Sequence, residues 1–287
     1  MRLSGTGIWS GQLRYGDAAT ITDAAAELDE LGFDAVWIPD VGGDVLGAVE
    51  MLLAATQRTV VATGILNVWM HEPAEVAARH ASWSDDWKRR FVLGLGVSHA
   101  PLIDQGQPGR YTKPVTKMIE YLDGLDSADM PFPVESRVLA ALRPRMLGLA
   151  RDRAAGAHPY FVPPEHVARA RGVLGSDALI AVELAVVMDR VPSSARATAR
   201  RHTAIYVGLP NYTNNLREFG FGDEDFADQG SDRLVDAIVA WGDLDAIVAR
   251  TQAMRDAGAD HVCVQVIRED NDMPRTEWRE LAASLVG

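Results

Sequence analysis

Apolar positions along this chain fall into two alternating rhythms. Short β-branched runs, apolar at nearly every position as strands buried on both faces require, alternate with longer segments whose apolar residues recur at the helical period. Residues 3–9 read as the first strand. Asp17 then opens a helix with Ile21, Ala24, Ala25, Leu28 and Leu31 on its apolar face, and Gly32 closes it where left-handed backbone is favoured. Strand 33–39, helix 44–56, strand 60–66, helix 73–87, strand 91–97 and helix 113–125 continue the rhythm. The second half adds strands 137–142, 157–162, 178–188 and 261–267, with helices starting near Arg143, Pro164, Ser193, Asp232, Leu244 and Pro274.

Eight strands joined by crossover helices point to an α/β fold of the closed (β/α)8 TIM-barrel type, since a doubly wound open sheet usually stops at about five to seven. Three helix-to-strand links carry glycine, at Gly32, Gly156 and Gly258, and read as turn devices rather than as a repeat. No stretch has the composition of a linker, so one domain over residues 1–287 is expected. Two strands, within 59–72 and 90–101, run apolar and then meet glycine and polar groups where they leave the sheet. Strand ends of that kind are where such barrels place their chemistry. The longest irregular stretches, 98–111 and 210–231, follow strands four and seven, where active-site loops belong.

Composition narrows the function. A hydrophobic share of 47% fills a substantial core, and a net charge of −12 argues against nucleic acid or an anionic membrane as partner. Cys263 lies inside an apolar strand, so neither a disulfide nor a cysteine metal cluster forms within the chain. The N-terminus has no apolar signal core, and the longest hydrophobic stretch, 178–188, is interrupted by Glu183, so a cytoplasmic protein is expected.

The strand ends offer Trp9 and Ser10, Asp40, Asn67 to His71, Ser98 and His99, Leu142 and Arg143, Pro163 to His166, Asp189 and Arg190, and Arg268 and Glu269. His158 falls at the start of strand six, on the opposite end of the barrel, while His80, His166 and His202 fall on helices whose solvated faces account for them. The lysines are Lys88, Lys113 and Lys117, none at a strand end, which excludes Schiff-base chemistry. No pair of histidines one residue apart supports a metal-dependent hydrolase, and paired catalytic carboxylates are hard to assemble. What remains suits an enzyme whose bound cofactor carries the chemistry.

The segments 36–40 (VWIPD), 62–67 (ATGILN), 90–98 (RFVLGLGVS), 113–125 and 137–166 follow one another in an order that resembles the luciferase-like monooxygenase superfamily, in particular its branch using the deazaflavin coenzyme F420. The resemblance covers the whole chain. It implies a non-prolyl cis peptide at Gly64-Ile65, in a bulge after strand three that presses on one face of the ring, with Asn67 close by. It implies phosphate capture by the backbone at Ala141, Leu142 and Arg143, where a helix N-terminus offers unpaired N–H groups. Gly94, Gly96 and Ser98 would line the ring or its tail. His99 would hydrogen-bond cofactor or substrate, and Asp40 would orient one of them, unless it only caps its own glycine turn. Trp9, Trp69 and Val41 would form substrate walls. His71 reads as a loop residue.

Two positions depart from the relatives that oxidise sugar phosphates: Val41 and Val97 stand where those carry histidine and glutamate, which disfavours that activity. Residues 85–89 replace the small glycine-bearing turn common before strand four. The expected function is F420-dependent hydride transfer with a small hydrophobic organic substrate, by a protein that works as a homodimer. The alternatives are an FMN-dependent monooxygenase supplied by a partner reductase and a barrel that binds such a cofactor without catalysis.

Overall fold

In the computed structural model, which describes residues 3–286, every strand pairing is parallel. The strands are β1 (Gly5–Trp9), β2 (Ala35–Ile38), β3 (Val60–Thr63), β4 (Leu66–Asn67), β5 (Phe91–Gly96), β6 (Arg137–Leu139), β7 (Gly156–Ala157), β8 (Leu179–Val187), β9 (Ala240–Trp241) and β10 (His261–Val266). They run in the order β10-β1-β2-β3-β5-β6-β7-β8, and β10 pairs with β8 to close the ring, so the chain is a (β/α)8 TIM barrel. β3 and β4 are one stave interrupted by two residues. β9 is an additional two-residue strand beside the end of β8, too short to leave a period in the sequence.

Alternation sorts the side chains. Ala35 and Trp37, Val60 and Ala62, Val92, Val138, Ala181 and Cys263 form one cluster inside the barrel, contributed by alternate residues of successive strands. The intervening residues, among them Val36, Ile38, Val61, Leu93, Val182 and Val264, pack outward against the helices. The register puts Gly7, Cys263 and Glu183 at one level of β1, β10 and β8.

Local rules account for the helix ends. Asp17 accepts from the Thr20 N–H at 2.9 Å to start helix Ala18–Leu31, and Gly32 ends it at φ 87°. The expected helix 73–87 is two helices, Pro73–Ala81 and Asp85–Arg89, because the Ser84 hydroxyl accepts from the Trp87 N–H at 3.2 Å and caps a second start. The stretch 210–231 is not irregular, since it holds helices Pro210–Arg217 and Asp223–Phe226. No described helix is long and apolar enough to cross a membrane.

Two histidines assigned to solvated faces are buried instead. His80 packs 4.3 Å from the Phe132 ring, and burial, helped by the Lys88 charge, pushes it down to about 4. His202 lies 4.9 Å from Tyr206, also lowered to about 4 by burial. Both helices turn those positions inward because the barrel wall needs filling.

Candidate active site

A cavity of about 370 Å³ opens where the strands end. The first four staves supply its first wall: Trp9 from β1, Asp40 and Val41 beyond β2, Gly64 and Ile65 between β3 and β4, and Gly96, Ser98 and His99 from the end of β5. Ala141 and Leu142 follow from β6. Those ten residues are the sequence candidates that the fold brings together.

The centre of this wall is the break in the third stave. The Gly64-Ile65 peptide is cis. The Gly64 N–H donates to the Ile38 carbonyl at 2.8 Å, and the Ile65 carbonyl accepts from the Asp40 N–H at 3.3 Å, so the bulge stays sewn to β2 and its loop. Trp9 Nε1 donates to the Gly64 carbonyl at 3.1 Å. A Cβ at Gly96 would sit 2.5 Å from Ile65 Cγ1 and Cδ1, so Gly96 is the space into which Ile65 packs. A Cβ at Gly64 would come 2.6 Å from Trp9 Nε1 and 3.2 Å from His158 Nε2.

Asp40 is clamped. Its carboxylate accepts from His71 Nε2 at 2.8 Å, the Asn67 N–H at 3.0 Å and the Gly42 N–H at 3.4 Å. Burial would raise this carboxyl, but the hydrogen bonds outweigh it, His71 most strongly, and hold it below its ordinary value. His71, read as a loop residue, is therefore the partner of a buried acid. His99 has its ring 4.9 Å from Tyr212, and burial pushes it down to about 4, so it is neutral at physiological pH.

Four residues that the resemblance placed at cofactor or substrate stand outside the cavity lining, Gly94 among them, which lies within β5 where an added Cβ would sit 2.0 Å from the Thr63 carbonyl oxygen. Asn67 spends its side-chain oxygen on the Trp69 N–H at 3.1 Å. Trp69 turns away, donating to the Val97 carbonyl at 2.8 Å and packing 5.6 Å from Tyr111. Arg143 projects to the surface, 3.4 Å from Glu218.

The other wall was not foreseen. His158, Tyr160, Tyr206, Asn211 and Tyr212 all line the cavity. His158 was expected at the opposite end of the barrel because the sixth strand was read as 157–162. β7 ends at Ala157, so His158 already lies at the cavity end, stacked 4.3 Å from Trp37. Its Nδ1–H donates to the Ala181 carbonyl at 2.7 Å, which leaves Nε2 as an unpartnered acceptor. His166 is likewise not solvated: it is fully buried, and its Nε2 lies 2.8 Å from the Leu142 carbonyl, which ties down the loop after β6.

A family model described as luciferase-like monooxygenase matches residues 3–261. An uncharacterized protein of Mycobacterium tuberculosis is 25% identical over 251 residues, 71% of this chain and 73% of that protein. A putative coenzyme F420-dependent oxidoreductase of the same organism is 28% identical over 118 residues, 41% of this chain and 33% of that one. Among solved structures, an F420-dependent secondary alcohol dehydrogenase in complex with an F420-acetone adduct is similar at a TM-score of 0.76 and 13% identity over 100% of both chains. The oxygenating constituent of 3,6-diketocamphane monooxygenase from Pseudomonas putida, in complex with FMN, is similar at a TM-score of 0.71 and 14% identity over 99% of this chain and 98% of that one. At these identities the likeness to the two structures is one of fold.

Proposed function

We propose, for a chain that belongs to the luciferase-like monooxygenase family, that the cavity binds coenzyme F420 and that the protein is an oxidoreductase passing hydride between that cofactor and a small hydrophobic organic substrate. The observation that carries this reading is the bulge at Gly64-Ile65, which holds Ile65 against Gly96 and so offers a shaped apolar bed at the cavity. A volume of about 370 Å³ falls within the roughly 300–1,000 Å³ usual for small-molecule sites. Among the described residues the lining contains no lysine or arginine, and its carboxylate, Asp40, is already committed, which suits a site where the bound group carries the chemistry. The Mycobacterium relative bearing an F420-dependent name adds support for the deazaflavin.

When bound, the ring supplies the site that gives or takes hydride. The protein's own part is positional. Ile65, Gly96 and Trp9 would support the ring. Asp40, held by His71 and Asn67, fixes the loop that carries Val41 into the pocket. His99, neutral and half-buried, offers one donor or one acceptor without bringing charge. The backbone at Ala141, Leu142 and Arg143, at the start of helix Pro144–Arg153, would meet a phosphate with unpaired N–H groups, while the Arg143 guanidinium stays with Glu218.

A second reading, an FMN-dependent monooxygenase, has support in the fold likeness to the FMN-bound oxygenase. Fluorescence titration of the protein with F420 and, separately, with FMN tests both. Tighter binding of F420 is the expected result; preference for FMN would promote the second reading, and binding of neither would overturn both.

A further inference from the structure

Three tyrosines from three separate segments meet in the cavity wall: Tyr160 after β7, Tyr206 at the end of helix Pro192–Val207, and Tyr212 in helix Pro210–Arg217. The Tyr160 hydroxyl oxygen lies 2.7 Å from that of Tyr206 and 2.7 Å from Gln265 Oε1 on β10. Tyr160 has a single hydroxyl proton. With Oε1 facing it, Gln265 can only accept, so Tyr160 donates to Gln265 and accepts from Tyr206. Turning the amide over places the Gln265 donor at Tyr160 and reverses both hydroxyls, and Tyr206 is then free to donate elsewhere. Both arrangements satisfy the same pairs. They differ in what Tyr206 shows to a neighbour, an acceptor in the first and a donor in the second.

The chain's geometry is held from inside the barrel. Phe161, next to Tyr160, has left-handed backbone at φ 58°, a conformation that a bulky residue keeps only when its surroundings impose it. Its N–H donates to the buried Glu183 carboxyl at 3.3 Å. Of the other polar side chains at the cavity, Asp40 is committed to His71 and two N–H groups, Trp9 to the Gly64 carbonyl, and Asn211 to contacts of 3.3–3.4 Å with Tyr111, His99 and Ser98, whereas His158 Nε2 is an unpartnered acceptor, able to meet a hydroxyl but not a carbonyl, and His99 and Tyr212 also reach the lining.

We propose that the Tyr206–Tyr160–Gln265 chain is the subsite for a substrate oxygen, and that the substrate carries a hydroxyl or a carbonyl at that point rather than plain hydrocarbon. A hydroxyl donates to Tyr206 in one arrangement, and a carbonyl accepts from it in the other. The inference rests on the reading of this cavity as the cofactor and substrate site.

The test uses the protein loaded with F420, or with FMN if that is what binds, titrated with cyclohexanone, cyclohexanol and methylcyclohexane at matched free concentrations. Binding is read from the fluorescence of the bound ring, and the carbonyl stretch of 13C-labelled cyclohexanone is read by infrared difference. Ketone and alcohol should both bind more tightly than the hydrocarbon, with the carbonyl stretch displaced to lower frequency than in hexane. Tyr206→Phe should weaken both oxygenates about three- to tenfold, the equivalent of one hydrogen bond, and return the stretch toward its hexane value, with cofactor and hydrocarbon binding unchanged. Failure of the wild type to take up either cofactor would bring down the reading of the site. Normal cofactor uptake with no preference for the oxygenates, no binding of the ketone, an unshifted stretch in the wild type, or an unaltered Tyr206→Phe would overturn the subsite alone.

Discussion

Replacing Glu183 by glutamine should make the barrel more stable, and increasingly so as pH rises. Glu183 is mid-strand on β8, level with Cys263, and 2% exposed. One carboxyl oxygen accepts from the Phe161 N–H at 3.3 Å and the other has no partner. Burial pushes the carboxyl up to about 8, against the lowering effect of the Phe161 hydrogen bond. In the unfolded chain a glutamate ionises near about 4.3. A group whose constant is raised on folding stabilises fully below its unfolded value and loses that contribution as pH climbs through the folded one. At about 1.4 kcal/mol per tenfold, the wild type gives up about 1 kcal/mol at pH 5, about 4 at pH 7 and about 5 at pH 9. Glutamine keeps the shape and an acceptor for Phe161 but cannot ionise. Other titrating groups are common to both proteins and cancel, so urea denaturation of wild type and Glu183→Gln at the three pH values isolates this carboxyl. The stability difference should grow by about 4 kcal/mol in favour of the variant between pH 5 and pH 9. A difference that stays constant within about 1 kcal/mol would refute the argument that Glu183 is buried without adequate partners.

Gly96→Ala would place a Cβ 2.5 Å from Ile65 and 3.3 Å from Ala140 Cβ. Relief of about 1–3 kcal/mol of overpacking should move Ile65 and weaken F420 binding about tenfold or more in a fluorescence titration, and unchanged affinity would remove the bulge from the cofactor site. His71→Ala strips a donor 2.8 Å from the fully buried Asp40 side chain and should cost about 1–3 kcal/mol in urea denaturation at pH 7. Because the Asp40 carboxyl is held below its ordinary value, that deficit should shrink as acid protonates it, and a pH-independent deficit would show that the charge is not what His71 stabilises. Arg143→Ala removes a largely exposed side chain paired at 3.4 Å with Glu218 and should change F420 affinity by less than about fivefold in calorimetry. A larger loss would assign the phosphate to the guanidinium instead of the backbone N–H groups.

The barrel was legible because its outer and inner faces obey simple periods. Ile21, Ala24, Ala25 and Leu28 are buried as the helical spacing requires, and β5 is buried along its whole length as its uninterrupted apolar run requires. The break at Gly64 was legible too, through the resemblance of the ATGILN segment. Direction was harder to read than position. Trp69 and Arg143 stand near strand ends, yet one side chain turns to the Val97 carbonyl and the other to Glu218, choices made by partners distant in sequence. Tyr206 and Tyr212 carried no signal at all, since they sit on helices whose periodicity records only that one face is buried.

His158 shows why this second wall escaped notice. In a barrel, the point at which a strand ends decides which end of the molecule a side chain serves, and here that point lies five residues earlier than the apolar run suggests. The β-rich run 157–162 looks like a full stave, but β7 pairs only through Gly156 and Ala157. Main-chain bonds still reach the Leu139 carbonyl from the His158 N–H and the Pro159 carbonyl from the Glu183 N–H, and side chains take over from there: the His158 ring donates to Ala181, the Phe161 N–H goes to the Glu183 carboxyl, and Tyr160 joins Tyr206 and Gln265. Those are tertiary partners from β8, β10 and the helix between them, so no local pattern announces them. The turn of the Phe161 N–H from a strand neighbour to the Glu183 carboxyl accompanies the delivery of Tyr160 to the cavity. A substitution that restored a regular strand here would therefore be expected to remove a wall of the site while leaving the barrel closed, because β8 is still held by β10 along six register pairs.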